Sequence, residues 1–282
     1  MRLLSPHQID QFRNDGFLVV ENLLDFETVE ILRQRFEHLF RGEFETGISP
    51  DEVNWQVGES DPSLTRQICN GWKADFMIAR TVFRTDLGRA IARLGNWPGT
   101  RLFQDNLLWK PPGARPIGLH QDNAYVGWLT PQEIVSCWMA LDDTQAQGGT
   151  LELVRGSHRW AHSQPDSTFH GPQRYREAME QAATIEGMAP DIVSIEIPCG
   201  SASLSSWLGL AWLRQQPHHF AEKSARSAWN LKRVGICSRA SKRRQWANIR
   251  TLQASRRQST RRESFPDSLA QGRLPHTRET LS

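Results

Sequence analysis

IVSCWMALDD, residues 134–143, decides the fold class, because its side chains alternate between two different faces as they do along a β-strand. The turn TQAQGG follows at 144–149, and a second short strand, TLELVRGSH, occupies 150–158. Another strand, TRLFQDNLLWK at 100–110, ends in a Pro-Pro-Gly turn. Such short, turn-bounded strands predict a β-sandwich or small barrel. The two faces of the first strand carry Val135, Cys137, Met139 and Leu141 on one side and Ser136, Trp138 and Ala140 on the other.

Helices are predicted to precede these strands. Ser5 is a candidate N-cap for a helix that ends at Gly16, and FLVV at 17–20 is typical of a strand. A second helix is predicted from the spacing of apolar residues over 26–36, and a broken helix over 74–95. Helices followed by strands favour a mostly β protein with flanking helices, of the α+β class.

Composition indicates an ordinary soluble chain. The 282 residues are 38% hydrophobic and 23% charged, and no run approaches the roughly 18 apolar residues of a membrane span. The N-terminus turns polar within six residues, which argues against a secretory signal peptide. The cysteines show no CxxC spacing, so we expect a reduced, cytoplasmic protein. They are Cys69, Cys137, Cys199 and Cys237.

Charge is distributed unevenly along the chain. Residues 204–282 hold 16 Lys and Arg against 4 Asp and Glu, a balance of +12, whereas residues 1–203 hold 18 against 27, a balance of −9. The segment after Ser203 is rich in Ser and Arg and shows no sustained strand or helix period. We therefore predict one β domain at 1–203 and a basic, disordered tail at 204–282.

One short motif suggests metal chemistry. His120 and Asp122 are two residues apart in LHQD, so on an extended segment their side chains would point to the same side. An imidazole and a carboxylate are two members of the 2-His-1-carboxylate triad that binds non-haem Fe(II). Taken alone, the pattern is weak, because most such pairs are polar surface residues.

The surrounding motifs resemble those of the phytanoyl-CoA dioxygenase family of Fe(II)- and 2-oxoglutarate-dependent oxygenases. In order along the chain they are the Lys-Pro-Pro strand end, LHQD, the WMALDD strand and the GTLELVRGSH hairpin, and the helix–GFLVV–helix unit precedes them. The resemblance covers roughly residues 5–203. It implies a double-stranded β-helix (jelly roll), Fe(II), 2-oxoglutarate as cosubstrate, and hydroxylation of a small organic substrate with O2. It does not indicate which substrate, nor the oligomeric state.

The resemblance also implies roles for individual residues. His120 and Asp122 match the first two iron ligands of the family, and Trp138 matches an aromatic residue that lines the 2-oxoglutarate pocket. Gln104 matches a polar pocket residue, and we group Lys110 with it as cofactor-binding. The alternatives are a core aromatic role for Trp138 and solvated strand-end roles for Gln104 and Lys110. His158, in the hairpin turn, is interpreted as structural.

Two parts of the family pattern are missing. The family has a second iron-binding histidine, in a segment like HGSGxN, and an arginine about one strand later that clamps 2-oxoglutarate. This chain has GSASLSSWLGLAWLRQQPHHF at 200–220 instead. We do not expect His218 or His219 to replace the missing ligand, because their segment shows no strand pattern.

A shifted reading frame would explain this loss. If residues 204–216 are encoded by suitable codons, the same bases read one position later yield SHHGWAWHGSGNN. Tryptophan has a single codon, so Trp207 and Trp212 each force a glycine in the shifted frame, and each of these glycines follows a histidine. Shifted readings of 244–250 and 262–270 also resemble the family's C-terminal end. We hypothesise a one-base frameshift near codons 203–204, with the last strands missing or disrupted and the chain inactive as translated.

Two alternatives assign the chain other roles. One is a binding module, in which the cationic tail grips nucleic acid or another anionic surface. The other is a jelly roll that has abandoned iron. The tail lacks interleaved aromatic residues, and the frameshift accounts for its composition, so we expect no nucleic-acid partner.

Overall fold

The structure is a computed structural model that describes residues 4–112, 114, 120–122, 128, 133–160, 176–206, 214–215 and 226–235, the last two ranges as backbone only. Contacts divide the chain into two units, Met1–Ile236 and Cys237–Ser282. The second unit lies entirely outside the described residues. All the helices and strands given below belong to the first.

The described chain begins with a helix, a strand and a second helix, as predicted. Helix α1 (Pro6–Asp15) starts at a capping box, in which the side chains of Ser5 and Gln8 each accept from the other's backbone N–H. It ends at Gly16, whose φ of 85° is the left-handed conformation that glycine adopts most easily. Strand β1 (Phe17–Val20) and helix α2 (Phe26–Phe40) follow.

Two further helices, α3 (Phe76–Val82) and α4 (Thr85–Leu94), confirm the predicted broken helix. The break lies at Phe83 and Arg84, between the end of α3 and the start of α4. The guanidinium of Arg84 donates to both carboxylate oxygens of Asp86, at 3.1 and 2.7 Å, and to the carbonyl of Leu23 at 2.8 Å. The break is therefore stabilised by a bidentate pair that also joins it to the start of α2.

Two antiparallel sheets form the β part. The strands after β1 are β2 (Glu52–Val53), β3 (Arg66–Cys69), β4 (Thr100–Lys110), β5 (Ile134–Ala140), β6 (Leu151–Val154), β7 (Ile192–Ser194), β8 (Ala202–Ser206), β9 (Arg214–Gln215) and β10 (Arg226–Gly235). Helix α5 (Glu177–Ile185) precedes β7 in the chain. The larger sheet has the order β1-β8-β5-β10-β4-β3-β2 and the smaller one the order β7-β6-β9.

The larger sheet has the two faces that the alternation in β5 predicted. Its outer face packs against the helices in a core that includes Val135, Cys137 and Met139. Its inner face meets the smaller sheet, where Trp138 and Ala140 pack in a second cluster with side chains of β1, β6 and the 195–197 segment. Two facing antiparallel sheets with helices outside form the expected jelly roll.

The prediction of no strand after Ser203 is wrong for part of the tail. Strand β8 continues to Ser206, and β10 lies in the middle of the larger sheet, paired with β4 on one side and β5 on the other. The main-chain N–H and C=O groups of β4 and β5 need hydrogen-bond partners, and a neighbouring strand supplies them whatever its side chains are. This is the physical reason why a basic segment can lie between β4 and β5. The domain boundary at 203, the tail's predicted disorder and the cationic-arm hypothesis stay predictions, because the rest of 207–282 lies outside the described residues.

None of the described helices is both long and apolar enough to span a membrane.

Candidate functional site

The His120–Asp122 pair is the centre of the candidate site. The Nε2 atom of His120 lies 3.0 Å from Oδ1 of Asp122. The His120 side chain is 19% exposed and that of Asp122 only 4% exposed. The two groups therefore converge, as the sequence predicted. Residues 120–122 belong to none of the described strands, however, so their proximity arises from local loop geometry and not from strand alternation.

Ser136 positions the carboxylate from the neighbouring strand. Its hydroxyl donates to Oδ2 of Asp122 at 3.2 Å, and both residues are buried. Ser136 lies on the inner face of β5, so the hydrogen bond fixes the pair against the interior of the jelly roll. One carboxylate oxygen faces His120 and the other is held by Ser136, a common arrangement for a metal-binding carboxylate with an outer hydrogen-bond partner.

The third ligand is not found in the described part of the chain. Among described residues, no third His, Cys, Asp or Glu joins the pair in a group that could hold a metal ion. His218 and His219, and the 207–213 stretch in which the family's second histidine is expected, lie outside the described residues. The donor set is thus one imidazole and one carboxylate, which fits two of the three protein ligands of an Fe(II) facial triad.

Trp138 lies on the same inner face as Ser136. It is 3% exposed and packs in the cluster between the sheets with Phe17 and Leu153. This position agrees with a core aromatic and equally with the wall of an interior pocket. Its indole Nε1, however, is buried and has no hydrogen-bond partner in the described part of the chain, which a purely apolar role does not explain.

Gln104 belongs to a cluster of polar side chains on the inner face. Its Nε2 donates to Oδ1 of Asn106 at 2.8 Å, and Nε2 of Gln67 reaches the same oxygen at 3.4 Å. Asn106 is buried and Gln104 is partly buried. Gln104 is therefore held in place by neighbours, which differs from the freely solvated strand-end side chain that was the alternative.

Lys110 is also buried, with 3% of its surface exposed. A lysine is almost never this buried without interactions of its charged group, so the solvated strand-end interpretation does not hold for it. The register places β4 residues 104, 106, 108 and 110 on the inner face. Gln104 and Lys110 thus share a face with Ser136 and Trp138, with β10 between the two strands.

The register of β10 brings an arginine into this region of the sheet. Arg226 pairs with Lys110 of β4 at the start of β10. No arginine one strand after the expected second histidine can be recognised from the sequence alone, because the pattern there predicts no strand. A short alternation in AWNLKRV, residues 228–234, was the available signal, since Trp229 and Leu231 occupy positions opposite Met139 and Cys137 of the outer face.

His158 makes a structural contact in the hairpin turn, in agreement with the prediction from the sequence. Its Nε2 donates to the carbonyl of Arg13 at 3.0 Å, which ties the hairpin turn after β6 to helix α1. Burial lowers the pKa of the His158 imidazole. The His158 side chain therefore takes part in the contact with α1.

Comparisons with known proteins agree with this architecture. A model of the phytanoyl-CoA dioxygenase (PhyH) family matches residues 12–202. The phytanoyl-CoA dioxygenase of Arabidopsis thaliana is 24% identical over 235 residues, which cover 70% of this chain and 78% of that protein. The ectoine dioxygenase of Bordetella bronchiseptica is 26% identical over 221 residues, which cover 74% of this chain and 65% of that protein.

Solved structures share the fold at low sequence identity. The crystal structure of EctD from S. alaskensis with 2-oxoglutarate and 5-hydroxyectoine has a TM-score of 0.64 at 19% identity, covering 83% of this chain and 77% of that one. The carbocyclase SnoK from nogalamycin biosynthesis has a TM-score of 0.61 at 18% identity, covering 82% and 84%. Because the family model spans more than half of its length, this chain belongs to the phytanoyl-CoA dioxygenase family.

Proposed function

We propose that this chain has the architecture of an Fe(II)- and 2-oxoglutarate-dependent dioxygenase that hydroxylates a small organic substrate. The observation that carries the proposal is the convergence of His120 Nε2 and Asp122 Oδ1 at 3.0 Å, with Asp122 anchored by Ser136 inside the jelly roll. Membership of the family supports it, and relatives solved with Fe and with 2-oxoglutarate share the fold.

The described residues divide into those that would hold the metal and those that would surround the cosubstrate. His120 and Asp122 would bind the iron, which supplies the oxidative chemistry with O2 when it is bound. Lys110, Trp138 and Gln104 share the inner face and would line the 2-oxoglutarate pocket. Their contribution is to position the cosubstrate and exclude water. Arg226 is the first candidate for the arginine that clamps 2-oxoglutarate, because the register of β10 places it opposite Lys110.

We further propose that the third ligand is encoded one base out of frame. The family requires a histidine where this chain has LSSWLGLAWLRQQ at 204–216. As translated, the chain then offers two protein ligands and has little or no turnover. The test is the nucleotide sequence of codons 195–285 in all three frames. A next frame that cannot encode HHGWAWHGSG would overturn the frameshift and leave the site incomplete as encoded.

Function is tested by binding and turnover together. Fe(II) and 2-oxoglutarate are added anaerobically to the full chain, and the visible charge-transfer absorption of the complex is recorded. His120→Ala and Asp122→Ala should abolish it, whereas His7→Ala, which removes an exposed histidine from α1, should leave it unchanged. Equal absorption in all variants would exclude this pair as the iron site.

Turnover is measured as succinate formation from 2-oxoglutarate. A chain in which residues 204–216 are replaced by SHHGWAWHGSGNN should form succinate faster than the chain as given, because it regains a second imidazole ligand. Activity that is no higher in the replaced chain would contradict the assignment of the third ligand to this segment. The two chains share every residue outside the replaced segment, which makes the comparison a direct one.

A further inference from the structure

A groove of about 930 Å³ lies among the helices that cover the outer face of the larger sheet. The first two turns of α2 form one of its walls and α3 forms the other. The segment 22–25, Arg84 and Cys199 complete the lining. No residue assigned to the candidate metal site lines this groove, so it is a separate surface of the molecule.

Large apolar side chains are exposed on both of these helices. Phe26 and Ile31 of α2, and Phe76 and Phe83 at the two ends of α3, are between 37% and 73% exposed. Phe76 and Phe83 lie four residues before and three residues after Arg80, so all three share the face of α3 that borders the groove. Single exposed apolar residues are ordinary, but a cluster of them on neighbouring helices indicates a surface that another molecule covers.

The two walls of the groove carry opposite charges. Glu27 on α2 and Arg80 on α3 both line it, and both are exposed. Within the described ranges, neither side chain forms an ion pair or a side-chain hydrogen bond. Each charge is favourable at its own helix end, since Glu27 is in the first turn of α2 and Arg80 in the last turn of α3. The charges alone would therefore not identify an interface, and the exposed phenylalanines beside them are the second observation that does.

A surface of this kind is complementary to itself. When a second copy docks after a half-turn, the acidic wall of each copy faces the basic wall of the other, and the apolar side chains of both copies are covered. A partner of a single charge sign would leave one wall without an ion pair. We propose that this groove is the interface of a twofold-symmetric homodimer, in which Glu27 pairs with the partner subunit's Arg80. This inference does not rest on the proposed function, because no metal or cosubstrate ligand lies in the groove.

Sedimentation equilibrium of the full chain tests the inference. The parent chain should sediment as a dimer at about 100 μM, a concentration well above a micromolar dissociation constant. Phe26→Asp places a carboxylate in the first turn of α2, where an acidic group is favourable, so the fold should be retained. An unpaired carboxylate inside the interface should weaken dimerisation more than about 100-fold. Ile185→Asp is the matched control, because Ile185 is 80% exposed but ends α5, away from the groove, and this variant should dimerise like the parent chain.

A charge exchange tests the predicted pair directly. Glu27→Arg and Arg80→Glu each place like charges opposite one another at two symmetry-related positions, and each should weaken dimerisation about 10-fold or more. The double variant restores two opposite pairs with exchanged signs, so it should dimerise within about threefold of the parent chain. Both changes are unfavourable for the helix ends, so recovery in the double variant could not come from a more stable monomer.

The remaining outcomes overturn the inference. A parent chain that stays monomeric at about 100 μM would exclude a homodimer at the affinity expected here. A dimer that neither Phe26→Asp nor the single charge reversals weaken would form through another surface. Equal weakening in Phe26→Asp and Ile185→Asp would show that an added charge acts generally and not through the groove. None of these results bears on the iron and succinate measurements, which test the proposed function independently.

Discussion

Replacing Ser136 with alanine tests whether the structure holds Asp122 ready to bind a metal. The substitution removes the hydroxyl that donates to Oδ2 of Asp122 at 3.2 Å. Ser136 is 1% exposed and Asp122 is 5% exposed, so water does not readily replace the lost donor. A hydrogen bond to a charged group contributes about 1.5–3 kcal/mol. Loss of an outer partner of a metal ligand lowers metal affinity about 10- to 100-fold, and we expect a decrease of this size.

The assay is a Mn(II) titration of the full chain with 2-oxoglutarate present in excess. Ser205→Ala is the control, because Ser205 lies opposite Ser136 on β8, is 2% exposed and donates to Asp122 in none of the described hydrogen bonds. Ser136→Thr retains a hydroxyl and should restore much of the affinity. The reasoning is refuted if Ser136→Ala binds Mn(II) as tightly as Ser205→Ala does, since Asp122 would then need no such support.

Three further predictions concern stability. Phe36→Ala, at a 2% exposed position in the helical core, should lower the free energy of unfolding in urea by about 3–5 kcal/mol. Gly16→Ala should lower the melting temperature of the protein far more than Gly58→Ala does. Both glycines have a positive φ, but only at Gly16 would a Cβ lie 2.5 Å from a nitrogen of the His158 imidazole. Equal melting temperatures in the two variants would exclude the clash. The guanidinium of Arg84 holds the pKa of the Asp86 carboxyl well below its usual range. Stability from Asp86 is therefore present above about pH 4 and lost as the pH falls further, and Asp86→Asn should flatten that acid-side loss in urea unfolding; an unchanged pH profile would contradict it.

Local signals account for the elements that the sequence predicted. The first helix was visible because Ser5 and Gly16 act on neighbouring backbone groups, through a cap hydrogen bond and a left-handed φ. The two faces of β5 were visible because they differ in composition: Val135, Cys137 and Met139 pack in the helical core, whereas Trp138 and Ala140 pack in the cluster between the sheets. The closeness of His120 and Asp122 was also predicted correctly, although a loop and not a strand produces it.

Contacts between distant parts of the chain account for what was missed. Nothing near Ser136 in the sequence indicates that it would reach Asp122, fourteen residues earlier. Strand β10 was missed because its place depends on pairing with β4 and β5, and its alternation is short and lies among basic residues. The pairing of distant strands depends on the geometry of their backbones. The periodicity of the side chains reveals such a strand only when one of its faces is clearly apolar.

The position of β10 separates the question of folding from that of activity. Strand β10 pairs with β4 on one side and β5 on the other through main-chain N–H and C=O groups. A segment with altered side chains can therefore still fill this place in the larger sheet. A complete facial triad needs a second imidazole at one particular place, and under the proposed frameshift no backbone group compensates for its loss. We therefore expect the chain to fold as a jelly roll and to bind 2-oxoglutarate with a metal held by His120 and Asp122, with little or no turnover. A cooperative unfolding transition in the chain as given, combined with faster succinate formation after replacement of 204–216, would confirm both halves of this expectation. A chain that melts without a transition would show that the residues after Ser206 fail to complete the sheet.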